Sequence, residues 1–297
     1  LHAGREADPT PSLSAHLRTL RTAAWLGWQY SSNWTEPWLF AIYSVIKPVA
    51  GTLILYFIWL VALVAGGAAP PEMLAYIFVG NAFYMFVFQA FFGMFEVIQG
   101  DREWFQTIRY IYISPISYYA YVIGRGFTQM VVAGIGVLVV LTIGRGLLGI
   151  PIVFNLGMLP FFLAVLLLGL FVTIAIGVAI GGITFLTARH GGGMSEGIAG
   201  VFYVFTGVIF PLSVLPVWGQ AFGHWIPLTY WFEGVRRVLL AAPQPPSSAF
   251  LSAMPDSTLL AILALSFVIV SFLSLAVFRY VEHLARKRGK IDMTTAY

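Results

Sequence analysis

The sequence predicts an all-α integral membrane protein. It should have six transmembrane helices, an N-terminal interfacial amphipathic helix and a re-entrant helical hairpin on the outer side before the last span. Three observations predict this. Of 297 residues, 59% are hydrophobic and only 9% charged, against about 25% charged in soluble domains. Mean hydropathy is +0.86. The apolar residues also gather into continuous runs, and roughly 20 such residues make a helix that crosses the hydrocarbon core. So little polar material excludes a soluble globular enzyme, a disordered chain and a typical nucleic-acid binder. The absence of cysteine removes disulfides, thiolate metal sites and cysteine nucleophiles.

Six runs qualify as spans: Leu39–Val64, Met73–Ile98, Ser117–Ile143, Leu156–Leu186, Ser195–Pro211 and Ser257–Arg279. A transmembrane β-barrel would alternate apolar and polar residues instead. The first run starts too late and runs too long for a cleavable signal, so it reads as a retained span. Basic residues favour the cytoplasmic side. With both termini inside, Arg18, Arg21, Arg102, Arg109, Arg189 and the cluster Arg279 to Lys290 are cytoplasmic, and only Arg145, Arg236 and Arg237 fall outside. The net charge of +4 is thus a consequence of topology.

Around the spans, residues 1–12 read as a disordered tail and 13–38 as the interfacial helix with its lead-in. Residues 39–283 form the membrane domain, and 284–297 a basic cytoplasmic tail. Leu13, Leu17, Leu20, Ala24 and Trp28 make one apolar helical stripe. A basic helix with tryptophans suits the headgroup boundary, although a helix packed on a partner has the same stripe.

Between the second and third spans, residues 101–113 predict a short amphipathic cytoplasmic helix. Trp104, Ile108 and Ile111 recur at helical spacing, while Asp101, Arg102, Glu103 and Arg109 supply charge. Carboxylates near the helix start suit the macrodipole, and Pro115 ends the helix. Such a helix either docks in a groove on another protein or merely joins two spans. The stretch 211–242 is too apolar for a solvated loop, and Pro211, Pro216 and Pro227 break it into pieces too short to span. Non-spanning backbone at membrane depth needs protein or a watery cavity around it, which a hairpin dipping in from outside would satisfy.

No GxxxxGK[ST] loop, no HExxH and no pair of histidines at ligand spacing occurs, so neither a catalytic set nor a metal site is expected. Ionisable residues near the membrane are Lys47, Glu96, Arg125, Glu196 and Glu233. Glu96 with Arg125, and Arg189 with Glu196, read as structural pairs at span ends rather than a proton relay. That weakens an ion-coupled secondary transporter, the alternative class. In the second span Tyr84, Phe88, Phe92 and Phe95 share a helical face, which suits either a path for apolar cargo or packing against neighbouring helices.

Two stretches carry a family resemblance. One is Asp101-Arg102-Glu103 through Ser114-Pro115 to Gly124. The other runs from Gly207 through Pro211, Pro216 and Trp218 to Ile226-Pro227-Leu228-Thr229-Tyr230 and Glu233 to Arg237. Together they resemble the permease subunits of type-2 ATP-binding-cassette exporters. Trp104-Phe105-Gln106-Thr107 stands where that family often has Gly-Thr after the Glu. The resemblance implies two paired permease chains, a homodimer or close paralogues, in a prokaryotic inner membrane and surrounded by its lipid. It also implies a cytoplasmic ATPase subunit that holds ATP and magnesium, no cofactor on this chain, and no nucleic-acid partner. Asp101, Arg102, Glu103, Trp104, Ile108 and Arg109 would couple to that ATPase. Pro211, Pro216, Pro227, Tyr230 and Glu233 would shape the hairpin, and the cargo would be hydrophobic, amphipathic or lipid-linked.

Overall fold

The computed structural model describes residues 13–32, 36–66, 70–187, 191–240 and 249–291. The expected tail over 1–12, Arg189, the segment 243–248, residues 292–297 and the side chain of Lys47 lie outside the described residues.

Helix α1 (Leu13–Ser32) leads into α2 (Pro37–Val64) and α3 (Pro71–Gln99). Prolines in the first turns of α2 and α3 sit where a missing N–H is harmless. The chain continues through a π-turn over Gly100–Trp104 to the six-residue α4 (Ile108–Ile113), then to α5 (Tyr118–Gly146), capped by the Ser117 hydroxyl. A 3₁₀ turn at Leu156–Met158 opens α6 (Leu159–Ile183), followed by α7 (Gly191–Phe205), α8 (Val217–Trp225) and α9 (Pro227–Leu239). Short α10 (Ala249–Ser252) precedes α11 (Asp256–Lys287). Among the described residues there is no strand beyond an isolated bridge, Ile152 to Leu240, which ties the α5–α6 loop to the end of α9.

Five of these helices, α2, α3, α5, α6 and α11, are long and apolar enough to cross a membrane. The fifth predicted span is instead the 15-residue α7, about 22 Å long at 1.5 Å per residue. The chain turns just beyond it, at Gly207 with φ +72. Hydropathy could not anticipate this stop, because the residues past the turn are as apolar as those before it. The last span is longer than expected. It runs to Lys287 and takes in the start of the segment read as a basic tail, with Arg286 and Lys287 in the last turn, where the helix dipole favours cations.

α3 is the axis of the bundle, with α5, α6, α7 and α9 around it. Its core residues, among them Tyr76, Val87, Phe91 and Met94, are shut off from the surroundings. α1 lies on α5 through small residues: Thr128 Oγ1 donates to Ala24 O at 2.8 Å, and a Cβ on Gly124 would collide with Leu20 and Ala23. The face turned to the protein is therefore Ala23 and Gly27. Leu17, Trp25 and Trp28 of α1 stay exposed.

Candidate functional site

The acidic-Arg-Glu segment does not form one helix with residues 108–113. At the end of α3 the bonding widens to Phe105 N–H donating to Gly100 O, 2.8 Å, the π pattern that often marks functional positions. Gln106 then takes a left-handed φ of 51, rare for a residue with a side chain, and α4 starts in a new direction. The continuous helix expected from the spacing of Trp104, Ile108 and Ile111 is thus broken at residues 105–107. The wider bonding of the π-turn and the left-handed Gln106 override an amphipathic period only two turns long.

This break turns the charges inward. Asp101, Arg102 and Glu103 are 0%, 1% and 8% exposed, whereas Trp104 is 65% exposed. Asp101 Oδ1 accepts from Arg125 Nη1 at 2.6 Å, from the Tyr121 hydroxyl at 3.3 Å and from the Thr107 hydroxyl at 3.4 Å. The Arg125 guanidinium also lies 4.4 Å over the Tyr30 ring, so one ion pair joins α1, the π-turn and α5. Arg102 pairs with Glu103 at 3.2 Å and donates to Gln99 Oε1 at 2.7 Å and Thr184 O at 3.4 Å. Arg125, expected beside Glu96, has its ion pair with Asp101. Burying two charges is tolerable only with such geometry and extra hydrogen bonds.

What remains outward is an apolar corner. Trp104, Phe105, Tyr110 and Ile113 are exposed, with Arg109 among them, while Ile108 is buried at 1%. Phe105 leans on Tyr30 at 4.5 Å between ring centroids. Burial, with Glu282 beside it, holds the Tyr112 hydroxyl above the ordinary phenol value. Arg286, at the far end of α11, rests 4.8 Å over the Tyr112 ring.

A second cluster sits about 30 Å away along α3, measured as helical rise from Asp101 back to Gly80. Arg236 of α9 is 1% exposed. It donates to Gly207 O at 2.8 Å, Val208 O at 3.1 Å and Tyr76 O at 3.3 Å, and lies 3.6 Å over the Tyr76 ring. Gly80 makes the room: a Cβ there would collide with that guanidinium and with the Val208 carbonyl. Arg237 holds the other side of α9, bonding Glu233 at 3.2 Å, Asp256 at 2.7 Å and Met254 O at 2.8 Å. Counting Arg236 and Arg237 as outer-loop positives overlooked these roles. The signals available were two adjacent arginines in an apolar stretch and a glycine, Gly80, among the bulky residues of α3.

The proline-broken stretch forms two short helices joined at Ile226. Pro211 opens a 3₁₀ turn, Pro216 precedes α8, and Pro227 takes the first position of α9. Tyr230 Oη donates to His224 O at 2.9 Å and Thr229 Oγ1 to Gly223 O at 2.7 Å, which fixes the bend. The arms differ. Trp231, Phe232 and Arg236 of α9 are buried in the bundle, while Val217, Trp218 and Trp225 of α8 are exposed.

The aromatic face of α3 divides as well. Tyr84 donates to Ala199 O and leans on Tyr203 of α7. Phe88 stacks on Phe92, ring centroids 5.6 Å apart, and Phe92 meets Phe95. All three of these phenylalanines are half-buried. Among the described residues no group of His, Asp and Glu side chains converges to hold a metal ion.

Five helices long and apolar enough to cross a membrane, packed around a central apolar α3, make this a multi-pass membrane protein. The chain matches the model of the ABC-2 type transporter family over residues 21–240, and it belongs to that family. It is thus a permease subunit of an ABC transporter, a kind of membrane transport component that in general pairs with an ABC ATPase and generally lacks catalytic activity. A comparison with curated proteins finds no match.

Proposed function

We propose that this permease is the membrane half of an ATP-driven exporter in a prokaryotic inner membrane. Two copies, or this chain and a close paralogue, pair and each bind one cytoplasmic ATPase subunit that holds ATP and magnesium. Both termini are cytoplasmic, α7 completes a sixth crossing, and α8–α9 form a hairpin re-entrant from outside.

The observation that carries this reading is the contrast within the π-turn. Its charges are spent on the protein's own interior, and an exposed Trp104 stands directly on that anchored base. A docking element needs an aromatic contact fixed to a rigid support, since aromatic anchors dominate interface energies. Asp101, Arg102 and Glu103 then act through support, and Trp104, Phe105, Tyr110 and Arg109 by contact. Closure of the ATPase pair on ATP pushes this corner, and the Asp101–Arg125 pair passes the motion to α5 and α1. Cargo moves outward along the permease pair.

Purification of the tagged chain from its native membrane in mild detergent tests the proposal. A stoichiometric partner with a phosphate-binding loop, whose hydrolysis responds to Trp104→Ala, is the expected result. A folded, dimeric preparation with no such partner overturns it.

A further inference from the structure

A cavity of about 500 Å³ lies between α1 and α4. Its volume is within the roughly 300–1,000 Å³ usual for small-molecule sites. Arg18 and Leu26 of α1 line one side, Tyr110 and Ile111 of α4 another, and Thr107 and Tyr121 bring it to the buried ion pair. The hydroxyls of Thr107 and Tyr121 both bond Asp101 Oδ1, at 3.4 and 3.3 Å. The cavity thus leads from the surface of α1 to the groups that hold Asp101 in place.

Its charge has one sign. Among the described residues that line it, Arg18 is the one charged side chain and there is no carboxylate. Among the described residues the Arg18 guanidinium meets only Ser14 O, through Nε at 3.4 Å, which leaves its other donors for an anion. Residues 13–32 as a whole hold Arg18, Arg21 and His16 and no Asp or Glu. The remaining wall has an apolar part, with Ala23, Leu26, Ile111 and Ile116, and Leu17 and Trp25 of α1 are exposed beside it. An inorganic anion would match Arg18 and leave this apolar surface in water. A lipid with an anionic head matches both, and basic segments meet anionic lipids at the cytoplasmic leaflet.

We infer that this cavity is a regulatory site for a singly charged anionic glycerophospholipid of the inner leaflet. The phosphate pairs with Arg18, and the start of one chain lies against Leu26 and Ile116. The inference rests on the cytoplasmic placement of α1 and α4 in the function proposed above. The occupant is a resident lipid that stays in its leaflet, and so is distinct from the cargo. α4 is a six-residue helix set off by the left-handed Gln106, too short to be rigid by itself. Lipid held between α1 and α4 braces residues 107–111, so that motion of the ATPase reaches Asp101 instead of bending this segment. Occupancy therefore raises the hydrolysis rate.

The test uses the whole permease–ATPase complex in phosphatidylcholine nanodiscs with increasing phosphatidylglycerol, part of it carrying a diazirine near the head. A saturable rise in hydrolysis, with saturable crosslinks in residues 18–26 and 107–116, is expected. Arg18→Gln should raise the phosphatidylglycerol needed for half the effect about fivefold, the worth of one basic residue at an anionic surface, and Arg18→Lys should restore most of it. Arg21→Gln removes the same charge from α1 outside the cavity lining and should shift it clearly less. Thr22→Trp, at an exposed position in the lining, should abolish crosslinks and stimulation while the ATPase subunit still co-purifies. Equal shifts for Arg18→Gln and Arg21→Gln, or stimulation intact in Thr22→Trp, overturn the inference. So does stimulation by inorganic phosphate alone, or ATP-dependent movement of labelled phosphatidylglycerol to the outer leaflet. Crosslinks that depend on Arg18 in a preparation without any ATPase overturn the exporter reading and leave the lipid site standing.

Discussion

Arg125 of α5 and Asp101 of the π-turn form an ion pair 2.6 Å long with both side chains withdrawn from the surroundings, 7% and 0% exposed. The pair joins residues 24 apart in sequence at the point where α3 stops being a span. Anything that displaces the exposed corner must either move α5 or break this pair.

Removing one partner strands the other. Arg125→Met should destabilise the permease by about 3–5 kcal/mol, the usual penalty for an orphaned buried charge. Asp101→Asn, which keeps an acceptor for Arg125, should cost less. Thermal unfolding in detergent checks the order, and a milder effect for Arg125→Met than for Asp101→Asn contradicts the pairing.

Trp104→Ala should separate stability from assembly. The side chain is exposed, so permease unfolding should shift by no more than about 0.5 kcal/mol. As an interface anchor its loss should cost about 2 kcal/mol of ATPase binding, a weakening of roughly thirtyfold. Titration of the ATPase subunit onto the permease in nanodiscs reads this directly.

Gly80 and Arg236 compete for one volume. Gly80→Ala should cost about 1–3 kcal/mol, as overpacking does, and expose amides of residues 206–215 to faster hydrogen exchange. Arg236→Lys should show the same exchange pattern, because an ammonium does not reproduce the planar fork that meets three carbonyls. Unchanged exchange in both variants would mean that the guanidinium does not hold the α7–α8 turn.

Pro211→Ala with Pro227→Ala should lower stability by about 1–2 kcal/mol in total, since each proline limits the unfolded chain at a position whose φ it matches. Wild-type thermal stability and transport in the double variant would remove the prolines from any shaping role.

The chain has no cysteine, so single cysteines report topology cleanly. Trp104→Cys and Val217→Cys sit at exposed positions on opposite sides of α7 in sequence. If α7 crosses, a membrane-impermeant maleimide added outside labels residue 217 and spares 104. Labelling of both from the same side would leave five crossings and place the C-terminus outside.

Four span positions were legible to within a few residues, because a run of apolar side chains as long as the hydrocarbon core has one stable arrangement in lipid. The turns set by Pro115 and Pro227 were equally plain, since proline acts locally. α11 runs eight residues past its expected end, and α7 departs further: its stop at Phe205 depends on Gly207 and on Arg236, which lies 29 residues further along the chain. The candidate site was legible as a segment and illegible as a geometry. The charges at 101–103 look like a solvated face in a linear pattern, and only the break at residues 105–107 and partners such as Arg125 and Thr184 turn them inward.

By itself the sequence determined that this protein lives in a membrane, how its long helices lie along the chain, and which family it belongs to. Those properties follow from composition, period and local motifs. The tertiary structure alone decided which charges are buried, that α9 belongs to the core while α8 does not, and that Trp104 stands outward on an internal ion pair. Each of these depends on partners distant in the chain. Burying a charge is a property of the pair and its surroundings, and no single position in the sequence carries it.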